Sequence, residues 1–335
     1  MDSPAETDDK RLRVFPITSG GRRAVLLTSD GVAVEAEHLP PRASGAGAAA
    51  EGSGHRPGPA AGPEPGPGED SGPGHGPDQA TGRAGRLAVV VAHGFTGALD
   101  RPAVRRAAGH LSAYAGVVTF SFRGHGHSGG HSTVGDLEVL DLDAAVRWAR
   151  ELGYERVATV GFSMGGSVVL RHAGEAGRAA SAAGTPGTSP RPGGTRGVTA
   201  GVQAVVSVSS PARWYYRGTA PMRRVHWAIT RPAGRLVSRL GLRTRIRAAE
   251  WDPVPLSPVE SVPYIAPTPL LIVHGDQDAY FPLDHPYSLA AAAGQGNAEL
   301  WIERGFGHAE NAAGPVLLSR IGDWLTAHTA GIPGI

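Results

Sequence analysis

The sequence predicts an α/β fold, a mostly parallel eight-stranded sheet with helices on both faces, and three observations carry that expectation. Short apolar runs alternate with stretches of helical periodicity. Several of these runs are continuously apolar, as a strand buried on both faces must be. The alternation resumes after each of two Gly- and Pro-rich interruptions, so the flanking segments belong to one architecture and the chain reads as a single domain.

Residues 23–28 and 32–38 read as a hairpin turning at Ser29-Asp30-Gly31. Residues 87–92 (Leu-Ala-Val-Val-Val-Ala) and 117–121 are buried strands. Residues 137–152 carry Leu137, Leu140, Ala144, Ala145, Trp148 and Leu152 at helical spacing, and Gly153 stops the helix. Strands follow at 156–160, 202–208, 269–273 and 300–302, with helices at 288–293 and 316–326. Residues 211–265 break the alternation, are helical in places, and are expected to form a lid.

Residues 42–85 and 177–197 are nearly all Gly, Ala, Pro, Ser, Thr and Arg, and are expected to be unstructured insertions. They hold too little apolar surface to offset the entropy of ordering. Much of the total of 49 Gly and 28 Pro sits there, so the ordered core is shorter than the chain.

The chain has no cysteine, which excludes disulfides, thiolate metal sites and a Cys nucleophile. Its start is acidic and lacks the apolar core of a secretory signal. No run approaches the roughly 18 apolar residues of a spanning helix. A soluble, cytoplasmic protein is the expectation, and a formal charge of +2 is too small to imply a nucleic-acid partner. No cofactor-binding pattern is evident.

Gly161-Phe162-Ser163-Met164-Gly165-Gly166 follows an expected strand and opens an expected helix. A sharp strand-to-helix turn leaves no room for side chains two residues either side of Ser163, and it lifts the hydroxyl to a helix N-terminus. A serine needs a base, and the base needs an orienting acid. The chain supplies candidates in the order Ser, acid, His. The strand at 269–273 runs into His274-Gly275-Asp276-Gln277-Asp278, and the strand at 300–302 runs through Gly305-Phe306-Gly307 into His308.

With these motifs the chain resembles the α/β-hydrolase family, in its serine hydrolase branch, and most closely bacterial lysophospholipase-like and serine-aminopeptidase-like hydrolases. The resemblance covers roughly residues 12–326 outside the two insertions. It implies the α/β-hydrolase fold with a helical lid and a triad of Ser163, Asp278 and His308. The second carboxylate of the acid loop is usually the triad acid, so Asp278 is preferred over Asp276, which reads as a turn residue capping nearby N–H groups. The oxyanion donors are then the N–H of Met164 and, from His93-Gly94-Phe95-Thr96-Gly97, the N–H of Phe95. His93 reads as a buried structural histidine. The chain lacks the His-Gly-Gly-Pro-Gly run of proline-specific peptidases, and Ser163 in place of an Asp nucleophile argues against dehalogenases and epoxide hydrolases.

Phe122-Arg123-Gly124-His125-Gly126-His127-Ser128, with His131, raises the question of a metal. The family resemblance makes this a structural turn, and no acid ligands accompany it, so no metal is expected.

Ten arginines and no acid lie between Arg213 and Arg247, interleaved with Trp214, Tyr215, Tyr216 and Trp227. Beyond a solvated helix face, this composition suits an anionic substrate or peripheral contact with a membrane surface. The aromatics Trp214, Tyr215 and Trp227 are expected to line the substrate pocket. The functional expectation is an esterase acting on an acyl or lipid-like small molecule through an acyl-enzyme. A thioesterase or acyltransferase with the same triad, or a non-enzymatic ligand-binding protein, are the alternatives.

Overall fold

The computed structural model describes residues 12–16 (backbone only), 21–42, 86–183, 198 and 200–330. Nine strands form one sheet: β1 (Leu12–Pro16), β2 (Arg22–Leu27), β3 (Ala33–Leu39), β4 (Leu87–Ala92), β5 (Gly116–Phe120), β6 (Arg156–Phe162), β7 (Ala204–Val208), β8 (Leu270–Gly275) and β9 (Ala298–Glu303). Their order is β1-β2-β3-β5-β4-β6-β7-β8-β9. The eight expected strands are β2 to β9, and β1 adds a ninth at the edge. β1, β2, β3 and β5 pair antiparallel, and from β5 onward every pairing is parallel.

The burial of each strand follows its neighbours. β4, β7 and β8 are buried along their whole length, matching their unbroken apolar runs. β2, near the antiparallel edge, alternates between exposed and buried residues.

Helices cover both faces, as expected. On one face α1 (Pro102–Leu111) and α9 (Pro315–Thr329) pack Leu111, Leu318, Ile321 and Leu325 against Val89, Val91, Val160 and Val206. On the other, α2 (Glu138–Glu151), α3 (Met164–Ala183) and α7 (Asp284–Ala293) pack Leu142, Trp148, Leu170 and Leu289 against Val90, Val205 and Ile272.

Between β7 and β8 the chain forms α4 (Ala220–Thr230), α5 (Pro232–Gly241), α6 (Pro258–Ser261) and a 3-10 turn (Val262–Tyr264). This is the helical segment expected at 211–265. Residues 43–85 and 184–197 of the expected insertions lie outside the described residues. One boundary is corrected. Residues 177–183 are the last turns of α3, because Ala179, Ala180, Ala182 and Ala183 are strong helix formers.

Candidate active site

The C-terminal ends of β4, β6, β8 and β9 converge on one cavity of about 780 Å³. Ser163 stands between β6 and α3 with φ of +52°, a left-handed conformation that costs a non-glycine residue about 1–3 kcal/mol. The surrounding backbone compels the glycines there. A Cβ on Gly161 would lie 2.2 Å from the Gly165 carbonyl oxygen, and one on Gly165 would lie 2.2 Å from that of Ala92.

Asp278, His308 and Ser163 form a continuous hydrogen-bonded chain. His308 Nε2 lies 2.9 Å from Ser163 Oγ, and His308 Nδ1 lies 2.8 Å from Asp278 Oδ2. Asp278 Oδ1 accepts the N–H groups of Tyr280 and Phe281 at 2.8 and 3.1 Å. Burial pushes the Asp278 carboxyl up. The His308 hydrogen bond and charge, with the two N–H groups, outweigh it and hold the carboxyl below the ordinary carboxylate range. A carboxylate facing Nδ1 makes that nitrogen the donor and leaves Nε2 to accept from the serine hydroxyl. Tyr280 stacks on the His308 ring at 4.1 Å between centroids.

Asp276 does the work of a turn residue. Its Oδ1 accepts the Gly305 N–H at 2.7 Å and ties the acid loop to the loop that delivers His308.

The loop after β4 isolates one donor. Gly94 N–H is taken by Glu310 at 2.9 Å, Thr96 N–H by His125 Nε2 at 3.3 Å, and Gly97 N–H by the Gly94 carbonyl at 3.0 Å. Phe95 N–H has no acceptor among the described residues. Met164 opens α3, so its N–H also has no intrahelical partner. Both residues line the cavity beside Ser163.

Two buried histidines hold this loop as neutral rings. His93 lies between the Gly94 carbonyl (Nδ1, 2.7 Å) and the Phe122 N–H (Nε2, 3.0 Å). Burial, chiefly, lowers its pKa to about 3. His125 lies in the same way between the Arg123 carbonyl and Thr96 N–H, and burial depresses it too. Both therefore act as braces. Among the described residues, no three His, Asp or Glu side chains gather where a metal could sit.

Of the expected pocket aromatics, Trp214 and Tyr215 line the cavity, and Tyr216 joins them. Trp227 does not. It lies on the outer face of α4 with Arg223 and is 48% exposed, while Met222, Val225 and Ile229 of the same helix face inward.

Three contributors were not expected. Trp251 packs edge-on against Trp214 at 5.0 Å and donates its Nε1–H to the Thr133 carbonyl. The buried Glu138 carboxylate gathers the N–H groups of Thr133, Val134 and Gly135 with the Ser132 and Thr133 hydroxyls, shaping another cavity wall. Glu310 is buried directly behind Gly94. Its sequence signal was its place two residues after His308. Five non-glycine residues with positive φ (Thr96, Val134, Ser163, Tyr215 and Ala309) line the cavity, so backbone strain is concentrated there.

A sequence model of the Alpha/beta hydrolase family matches residues 89–316. No curated protein matches the chain. Among solved structures, the chain is similar to the Pyrococcus furiosus esterase Pf2001, with 18% identity over 94% of this chain and 93% of that one, at a TM-score of 0.57. It is also similar to the α/β hydrolase GrgF from Penicillium sp. sh18, with 17% identity over 92% and 99% at a TM-score of 0.58. At that identity the likeness is one of fold.

Proposed function

The chain belongs to the alpha/beta hydrolase family, and from that premise we propose that it is a serine hydrolase cleaving the carboxylic ester of an acyl or lipid-like small molecule. The observation that carries this reading is the unbroken chain from Asp278 through His308 to Ser163 Oγ, beside the N–H groups of Phe95 and Met164, which have no acceptor among the described residues.

In this reading Ser163 Oγ attacks the acyl carbonyl carbon while His308 Nε2 takes the hydroxyl proton. The carbonyl oxygen becomes an oxyanion held by the N–H groups of Phe95 and Met164. Asp278 stabilises the imidazolium. The intermediate collapses, the ester C–O bond breaks, and His308 gives its proton to the departing alkoxide. A water then attacks the acyl-enzyme, losing its proton to His308, and as the bond from the acyl carbon to Ser163 Oγ breaks, His308 returns that proton to Oγ and the carboxylic acid leaves. Trp214 and Tyr215 supply an apolar wall for the acyl chain. A thioester would meet the same groups, so the leaving atom is a question for a substrate panel.

The test is labelling with a fluorophosphonate probe, in parallel with Ser163→Ala and His308→Ala. Labelling of the wild type, abolished in the Ser163→Ala variant and weak in the His308→Ala variant, is the expected result. An unlabelled wild type would leave the non-enzymatic ligand-binding reading, and labelling that survives Ser163→Ala would remove Ser163 as nucleophile. Hydrolysis of matched esters and thioesters then separates the leaving groups.

A further inference from the structure

We propose that the outer face of the α4–α5 hairpin docks onto a bilayer surface rich in anionic lipid. This goes beyond ester hydrolysis and does not depend on the triad.

α5 is inside out. The residues it buries are Gly234 and Ser238, and a Cβ on Gly234 would lie 2.5 Å from the Trp227 carbonyl oxygen of α4. Its large apolar residues face water instead: Leu236 is 56% exposed, Val237 57% and Leu240 75%. Leu236 and Leu240 are one helical turn apart and form a stripe with Val237 alongside. Trp227, on the outer face of the adjoining α4, is 48% exposed. A water-soluble helix of this length normally points such residues at its own protein.

Charge selects the occupant. Between Arg213 and Arg247 the sequence has ten arginines and no acid, although the whole chain has a formal charge of only +2, so the remainder is net acidic. Of these arginines, Arg213 meets a carboxylate, that of Asp284. Arg231, Arg239 and Arg243 are exposed and make no side-chain bond among the described residues. Arg239 sits one position from both Ser238 and Leu240, on the flank of the apolar stripe. An apolar stripe with arginines beside it matches acyl chains beneath anionic headgroups, with the guanidinium groups rising to the phosphates. A Trp at the margin suits the same interface. The opposite face of α4 presents Met222, Val225 and Ile229 to the cavity. Docking would therefore bring the cavity wall against the lipid.

The test is co-sedimentation of the full chain with vesicles of phosphatidylcholine alone or of phosphatidylcholine with phosphatidylserine, at low and high salt. Two variants accompany the wild type: L236S/V237S/L240S and R231E/R239E. Circular dichroism and thermal unfolding check that each is folded. The wild type is expected to sediment with phosphatidylserine vesicles at low salt and not with phosphatidylcholine alone. Each variant should weaken that binding at least about tenfold, R231E/R239E because it removes two basic residues from an anionic surface and L236S/V237S/L240S because it removes the inserting apolar stripe. High salt should weaken the wild type comparably. No sedimentation of the wild type with phosphatidylserine vesicles would overturn the proposal, as would equal binding by folded variants. A dimer abolished by L236S/V237S/L240S, without vesicle binding, would reassign the face to a second copy of the chain and also overturn it.

Discussion

Replacing Asp278 by Asn tests the proposed triad most sharply, because the structure dictates what the amide must do. Oδ1 of Asp278 accepts two N–H groups, and Oδ2 faces His308 Nδ1. An asparagine has one acceptor oxygen, and the two loop N–H groups claim it. The NH2 group is then left facing His308 Nδ1. A donor there forces Nδ1 to accept and moves the ring proton to Nε2, the atom 2.9 Å from Ser163 Oγ. The ring can then no longer take the serine proton. Amidation of the orienting carboxylate in a serine triad lowers kcat by about 10⁴ while leaving the geometry intact. At 1.36 kcal/mol per decade, this is about 5 kcal/mol of transition-state stabilisation. The Asp276→Asn variant is the internal control. Asp276 is exposed and uses one oxygen for the Gly305 N–H, which an amide oxygen replaces. Its cost should stay within about 0.5 kcal/mol, roughly twofold. The assay is kcat and kcat/KM on a short-chain p-nitrophenyl ester, with thermal unfolding of both variants. Retention of more than a tenth of the activity by Asp278→Asn, or a larger loss in Asp276→Asn, would refute the reasoning.

Three further outcomes are expected. Burial lifts the Glu310 carboxyl above the ordinary glutamate value, and the Gly94 N–H only partly offsets this. The stability this group contributes is therefore full below about pH 4.3 and is lost as pH rises through its folded value. Glu310→Gln keeps an acceptor for Gly94 and should melt higher than the wild type at pH 8, with the gap closing near pH 4; an equal gap at both would contradict this. Gly165→Ala drives a Cβ into the main-chain oxygens of Ala92 and His93, at 2.2 and 2.6 Å, where no side chain can swing aside. Urea unfolding should show a loss of about 1–3 kcal/mol or more, and an unchanged midpoint would mean that the β4 and β6 loops are looser than described. Finally, Arg217, Arg224 and Arg247 line the cavity, with the exposed Glu250 as a nearby acid. An anionic acyl ester should turn over faster than its neutral counterpart at low salt, and the difference should vanish at high salt. Identical rate ratios at both salts would rule out attraction by these arginines.

Much of the fold was legible because parallel strands buried on both faces leave an unbroken apolar run, and β4, β7 and β8 each do so. Elements with weaker self-evidence escaped. α1 buries Ala103, Val104, Ala107, Ala108 and Leu111, a helical spacing made mostly of alanine, and its clearest signal was Pro102 at the first turn. β1 is a five-residue strand that exists by pairing with β2. The three polar residues aligned in the site were nameable in advance because each follows a strand within a few residues. Trp251 and Glu138 were not, since their roles depend on partners at Trp214 and in the 132–135 loop that only packing brings together. Trp227 was misassigned to the pocket because composition does not say which face of α4 turns inward.

The attachment points of the long connections divide the molecule into two ends. Residues 43–85 leave after Arg42, whose N–H is bonded to the Ser112 carbonyl just ahead of β5, and rejoin at Arg86 where β4 begins. Residues 184–197 leave from the far end of α3 and rejoin before β7. Both are spliced where the parallel strands start, while Ser163, Asp278, His308 and Phe95 stand where strands finish. The helical segment at 211–265 is spliced at the finishing end, directly over the cavity. Chain length can thus grow or shrink at the starting end while the reactive geometry stays fixed. At the finishing end, the same change would rewrite what the cavity admits.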